Sequence, residues 1–126
     1  MAKALGIGGV FFKSKDPATL TAWYTKHLGF EPEPNHSVSF RPASLPPGGF
    51  SVWGPFKQTT EYFSPSDKPY MFNIIVDDLE GALAQVKAGG AEVMKETEDG
   101  EYGRFGWFID PEGHKVELWV PPQAGS

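Results

Sequence analysis

The sequence predicts an α+β fold made of two copies of a βαβββ module, and three observations carry that prediction. Asp16–Gly29 and Asp77–Gly90, at an offset of 61 residues, share one pattern: aspartate, an apolar stripe of helical spacing, then glycine. Val52-Trp53-Gly54-Pro55 resembles Leu118-Trp119-Val120-Pro121 at an offset of 66 residues. Between these landmarks, apolar residues alternate or come in short runs broken by proline and glycine, as strands and turns require.

Taken in order, the apolar stretch Leu5–Phe12 predicts a first strand. Asp16-Pro17 supplies a helix N-cap followed by proline at the first helical position, and Leu20, Trp23, Tyr24, His27 and Leu28 then share one helix face before Gly29 stops it. Phe30–Pro34, His36–Arg41 with alternating Val38 and Phe40, and Phe50–Phe56 after the Pro46-Pro47-Gly48-Gly49 turn predict three short strands. This first module spans about 4–57, a linker about 58–68, and the second module about 69–121. In the second module, Tyr70–Val76 predicts a strand, Asp77 or Asp78 caps, and Leu79, Ala82, Leu83 and Val86 form the helical stripe before Gly89-Gly90. Ala91–Lys95, Tyr102–Asp110 and His114–Val120 predict the remaining strands, with Asp110-Pro111-Glu112-Gly113 as a turn. The change of offset places about five extra residues in the second copy, assigned to acidic Glu96–Glu101 as a solvated loop rather than a cation site.

Composition excludes several classes of function. The 126 residues, 40% of them hydrophobic, suffice for one domain with a real core. Eleven basic against 16 acidic residues, net −5, with no basic stripe, argue against nucleic-acid binding. No apolar run approaches the roughly 20 residues of a membrane helix, and Met1–Phe12 lacks the order of a signal peptide, so a cytoplasmic protein without membrane partners is expected. The absence of cysteine removes disulfides, thiolate metal sites and thiol nucleophiles. No nucleophile elbow, phosphate loop or dinucleotide fingerprint is present, and a Ser-His-Asp triad could be drawn only by arbitrary choice.

The segment Phe108-Ile109-Asp110-Pro111-Glu112-Gly113-His114-Lys115-Val116-Glu117-Leu118-Trp119 resembles the terminal hairpin, with its glutamate, of the vicinal oxygen chelate superfamily. That group includes glyoxalases, extradiol dioxygenases, fosfomycin-resistance transferases and bleomycin-binding proteins. Asp16-Pro17, Trp23-Tyr24 and Leu28-Gly29-Phe30 are similar to its first helix and exit, so the resemblance covers nearly the whole chain. It implies a curved, cup-like mixed sheet with helices on the outside, a small organic ligand in the cup, and a homodimer. The reaction does not follow, because this fold carries several unrelated chemistries.

In the superfamily, metal is held from four equivalent strands, and the matching positions here are Gly9, Ser51, Met71 and Glu117. Only Glu117 is a hard ligand, whereas a catalytic metal needs about three nitrogen or oxygen side chains, so no metal or other cofactor is expected. Histidine does not complete a site. His27 sits near the end of the first helix, His36 opens a strand after a proline-rich turn, and His114 lies three residues from Glu117, on the opposite strand face.

Strand alternation assigns the cup. Val116, Leu118 and Val120 should face the helices, leaving Lys115, Glu117 and Trp119 toward the cup. A three-residue loop Pro111-Glu112-Gly113, with glycine left-handed, pairs Asp110 with His114 and sets Trp107 opposite Glu117 and Phe105 opposite Trp119. A two-residue loop would instead turn Arg104 to the cup, diagonal to Glu117. The first module adds Phe11, Ser51 and Trp53, and the strand at Tyr70–Val76 adds Met71 and Asn73. Each ring serves a ligand or fills the barrel or an interface, and the Asn73 amide orients a ligand or hydrogen-bonds the cup wall. Glu117 is a candidate general acid or base, a partner for Lys115 or Arg104, or an anchor for a cationic ligand.

Three functions follow. One is a metal-independent binder of a small organic molecule through the aromatic cup. Another is a metal-dependent lyase or dioxygenase with Glu117 as ligand or general base. The third is a non-catalytic structural or regulatory dimer whose aromatics are interface.

Overall fold

In the computed structural model, which describes residues 10–122, Asp16 opens helix α1 (Pro17–Leu28). Its carboxylate accepts the Thr19 amide at 3.1 Å, one of the N–H groups that the first helical turn leaves free, and the Thr19 hydroxyl at 2.8 Å. Pro17 stands at the first turn and Gly29, at φ 73°, closes the helix. Helix α2 (Leu79–Ala88) is capped by Asp78, not Asp77, whose Oδ1 accepts the Gly81 amide at 3.0 Å.

Four strands, β1 (Phe72–Ile75), β2 (Glu92–Gly100), β3 (Gly103–Ile109) and β4 (Lys115–Val120), form one sheet in the order β1-β4-β3-β2. β1 runs parallel to β4 and the other pairs are antiparallel, so the sheet is mixed and the fold is α+β. Both helices lie on one face. Leu20 and Tyr24 of α1 and Leu79, Ala82 and Val86 of α2 bury against Phe108, Val116 and Leu118, as the alternation in β4 predicts. The Trp23 indole N–H donates to Gly89 O at 3.0 Å and the Gln85 amide to His27 O at 2.9 Å, joining the two helices. Among the described residues no helix is long and apolar enough to cross a membrane.

The β3–β4 turn decides the register. Gly113 adopts φ 85°, which side chains disfavour, and its N–H donates to Asp110 O while Asp110 and His114 pair across the turn. Trp107 therefore stands opposite Glu117 and Phe105 opposite Trp119, the three-residue-loop register.

The second module takes the whole predicted order of elements, with one correction. Most of the acidic stretch 96–101 is strand rather than loop: β2 continues through it, with Glu98 opposite Phe105 and Gly100 opposite Gly103. An irregularity between Val93 and Thr97 shifts the register, so the extra residues lengthen a hairpin instead of forming a loop. Of the first module, α1 forms, but Phe30–Pro34, His36–Arg41 and Phe50–Phe56 are not strands. They carry an isolated bridge between Pro32 and Val38 and a short 3-10 turn, Pro42–Ser44. Pro32, Pro34, Pro42, Pro46, Pro47 and Pro55 remove ladder donors, and among the described residues the run has no partner strand to hold it extended. Of the expected first strand, residues 5–9 lie outside the described residues and Val10–Phe12 are irregular.

This irregular half returns across the sheet face opposite the helices. Phe50 packs edge-on against Trp119 with ring centroids 5.0 Å apart, and Tyr62 against Trp107 at 6.1 Å.

Candidate functional site

The face away from the helices presents Asn73 of β1, Phe105 and Trp107 of β3, and Lys115, Glu117 and Trp119 of β4, because residues two apart share a face. Asn73 and Trp107 stand in register on either side of Glu117. The Asn73 amide donates to Glu117 Oε1 at 2.7 Å and the Trp107 indole N–H to Oε2 at 2.9 Å. A third donor comes from the linker: the Tyr62 hydroxyl meets Oε2 at 2.8 Å. Glu117 is 8% exposed, and a carboxylate so buried among rings is tolerable only with such donors.

Burial first, then the bond to Glu117 and its charge, raises the Tyr62 pKa well above the ordinary 10, so this hydroxyl keeps its proton and donates. Lys115 crosses above it. Its ammonium donates to Tyr62 O at 2.6 Å and lies 5.2 Å from the Tyr62 ring centre and 5.7 Å from that of Trp107. Burial pulls the Lys115 pKa below its usual value, against the opposing charges of Glu117 and Glu96. Trp119 stacks on Phe105 at 6.0 Å with planes 6° apart and donates its indole N–H to Tyr102 O at 2.7 Å.

Beside Tyr62 opens a cleft of about 640 Å³, walled by Phe56, Phe63, Tyr70 and Met71 with Lys57 and Asp67 at its polar side. That volume is in the range of small-molecule sites. Phe56 also stacks on the Tyr62 ring at 5.5 Å, so cleft and Glu117 site share a wall.

The structure thus brings together Asn73, Phe105, Trp107, Glu117 and Trp119, and sets Met71 in the neighbouring cleft. Arg104 is corrected: the three-residue turn points it to the helix face, where it holds Glu80 in a two-pronged ion pair and approaches Asp99 at 3.7 Å. A salt bridge from Glu117 to Arg104 or Lys115 is likewise absent among the described residues, since Lys115 bonds to the Tyr62 carbonyl instead. Phe11 and Trp53 are 95% and 78% exposed and Ser51 is exposed, so none of the three reaches the site. Among the described residues their segments pair with no strand that would turn them inward.

The superfamily's metal positions do not fit a metal here. Gly9 is outside the described residues, Ser51 is exposed, Met71 offers only a soft thioether, and both oxygens of Glu117 accept N–H or O–H donors. Among the described residues no group of three or more His, Cys, Asp or Glu could hold an ion. His27 packs on Trp23, His36 is exposed, and His114 is on the helix side bonded to Asp110 at 2.7 Å.

Two features carry little signal in the sequence. Tyr62 is hidden in the linker, where the aromatic pair Tyr62-Phe63 amid polar residues is the available signal. The buried cluster Tyr24, Asp110 and His114 has no signal of its own, because each residue already serves a helix face or a turn.

The glyoxalase-like domain family model matches residues 9–119. No curated protein matches the chain. Among solved structures, the chain is similar to TnmS3, an antibiotic binding protein from Streptomyces sp. CB03234, at 19% identity and TM-score 0.50 over 86% of this chain and 88% of that one. It is also similar to TioX from Micromonospora sp. ML1, at 18% identity and TM-score 0.49 over 90% and 94% of the two chains. A glyoxalase/bleomycin resistance protein/dioxygenase from Nocardioides aligns at 20% identity and TM-score 0.45 over 90% and 80%. At these identities the likeness is one of fold.

Proposed function

The chain belongs to the glyoxalase-like domain family, within the vicinal oxygen chelate superfamily that its terminal hairpin resembles, and on that premise we propose that it is a metal-independent member that binds a small aromatic molecule. The observation that carries this reading is the setting of Glu117: one buried carboxylate, bonded to Asn73, Trp107 and Tyr62 and, among the described residues, to no second metal-ligating group, on a face of stacked rings. Rings provide apolar area and a preferred stacking geometry, while a single acceptor orients what lies on them. The fold shared with an antibiotic binding protein agrees with a binding role.

The test combines elemental analysis of untagged protein, purified without chelators, with tryptophan fluorescence titrations against aromatic and cationic metabolites. No stoichiometric metal and saturable quenching by an aromatic compound are expected. About one transition metal per chain overturns metal independence, and unchanged fluorescence across the library at millimolar levels overturns the binding role.

A second observation favours self-association. Phe40, Val52 and Trp53 are 63%, 67% and 78% exposed in the irregular first half, an apolar surface that water disfavours. A homodimer in which a second copy covers this run accounts for it. Sedimentation of a monomer at micromolar concentration overturns the dimer.

A further inference from the structure

The aromatic face of the sheet is already occupied by the protein's own linker. Tyr62 lies between Phe56, stacked on it with planes 19° apart, and the edge of Trp107, with Glu117 at its hydroxyl and the Lys115 ammonium over its ring. Nothing in the secondary structure requires Tyr62 to be there. Residues 57–66 lie outside the sheet in turns and irregular chain, and among the described residues the hydrogen bonds that tie this strap to the sheet and its β3–β4 turn are Tyr62 to Glu117, Lys115 to Tyr62 O, and Ser66 to Gly113 O at 2.6 Å. Two of those three ties are made by Tyr62 itself.

We propose that Tyr62 is a tethered stand-in for the ligand: the strap plugs the site, and the site takes an electron-rich aromatic ring bearing a hydroxyl, a phenol, that displaces it. This rests on the aromatic-binder reading above and names the chemistry of its ligand. When Tyr62 leaves, Glu117 Oε2 keeps the Trp107 N–H but loses its second donor while remaining walled by rings. A replacement that cannot donate a hydrogen leaves that oxygen one donor short, with the Trp107 N–H alone, and an electron-poor ring forfeits the attraction of the Lys115 ammonium. The cleft bounded by Phe56, Phe63 and Met71 receives the rest of a ligand larger than one ring, because Phe56 is a wall of both spaces.

The test uses the full chain, its Tyr62→Ala and Tyr62→Phe variants, and two probes related by O-methylation, which removes the donor: p-cresol and 4-methylanisole. Tryptophan fluorescence reports binding and a cooperative thermal melt reports folding. Tyr62→Ala should bind p-cresol at least tenfold more tightly than the unaltered protein, Tyr62→Phe should fall between, and 4-methylanisole should bind at least tenfold more weakly than p-cresol to each. If Tyr62→Ala does not melt cooperatively, the Tyr62→Phe comparison carries the same test, since that change removes only the hydroxyl. Equal p-cresol affinity in all three proteins overturns the plug. Equal binding of the two probes overturns phenol recognition while leaving an aromatic site in place. Failure of both probes on every variant overturns the proposal and the aromatic-binder reading together.

Discussion

The Tyr24 hydroxyl of α1 donates to Asp110 Oδ2 in the β3–β4 turn at 2.8 Å, a bond spanning 86 residues of chain. The same oxygen accepts His114 Nδ1–H at 2.7 Å, and Oδ1 accepts the amides of Glu112 at 2.9 Å and His114 at 3.0 Å. Because a carboxylate only accepts, His114 Nδ1 carries a proton. Burial, then the charge and bond of Asp110, pushes the Tyr24 pKa far above the phenol range, so the donor stays protonated. The helix is thereby clamped to the turn that sets the site's register.

Tyr24→Phe removes one of these four donors and keeps the ring. The expected loss is about 1–2 kcal/mol of stability, read as a lower urea midpoint with unchanged slope. A midpoint equal to that of the unaltered protein would show that the clamp carries no stability.

Glu112 holds the chain entering α1, accepting the Ser14 hydroxyl at 2.8 Å and the Lys15 amide at 3.1 Å. Desolvation acts to raise its pKa, but the Ser14, Lys15 and Asp16 donors outweigh it and hold the carboxyl below its ordinary 4.5. A depressed folded-state value means stability present above about pH 4.5 and lost as pH falls through the lower folded value. Glu112→Gln should therefore lower the melting temperature at neutral pH, by an amount worth less than about 1 kcal/mol because solvent screens the site. The gap should close as the pH is taken down to about 3. A gap that persists undiminished in acid contradicts the assignment.

Glu117→Leu leaves the Trp107 indole N–H, on a residue only 5% exposed, without its acceptor. A loss of about 1–3 kcal/mol is expected, with less for Glu117→Gln, which keeps one acceptor oxygen. Chemical denaturation of the two variants compares them directly, and equal losses would mean that packing rather than hydrogen bonding holds the site.

Gly103 and Gly100 pair across the β2–β3 hairpin yet should respond oppositely to alanine. At Gly103, φ is +107° and a Cβ would lie 2.2 Å from the Val120 carbonyl oxygen, so Gly103→Ala should cost at least about 2 kcal/mol. At Gly100 a Cβ meets nothing within 4 Å, and Gly100→Ala should be neutral or stabilising by up to about 1 kcal/mol. Thermal melts of the two single variants check the contrast.

Much of the Glu117 site is legible in the amino-acid sequence. The glycine at position 113 predicts the turn, the turn sets the register, and the period of two places Asn73, Trp107 and Glu117 on one face. The same register removes Arg104 from the site, an outcome that residue type alone leaves open. The acidic continuation of β2 beyond Lys95 is hidden because its pairing with β3 is made by backbone groups, which composition does not reveal.

What the sequence by itself determined are the features set within a few residues: Asp16 as a helix cap, a second cap at Asp77 or Asp78, the helical stripes these open, and the β3–β4 turn. Only the tertiary structure decided that the proline-broken run after α1 finds no strand partner among the described residues, that Tyr62 folds back onto Glu117, and that Tyr24 reaches Asp110. Capping and periodicity are local and leave a pattern in the sequence. A contact between distant residues depends on the path of all the chain between them, and no local pattern records that path.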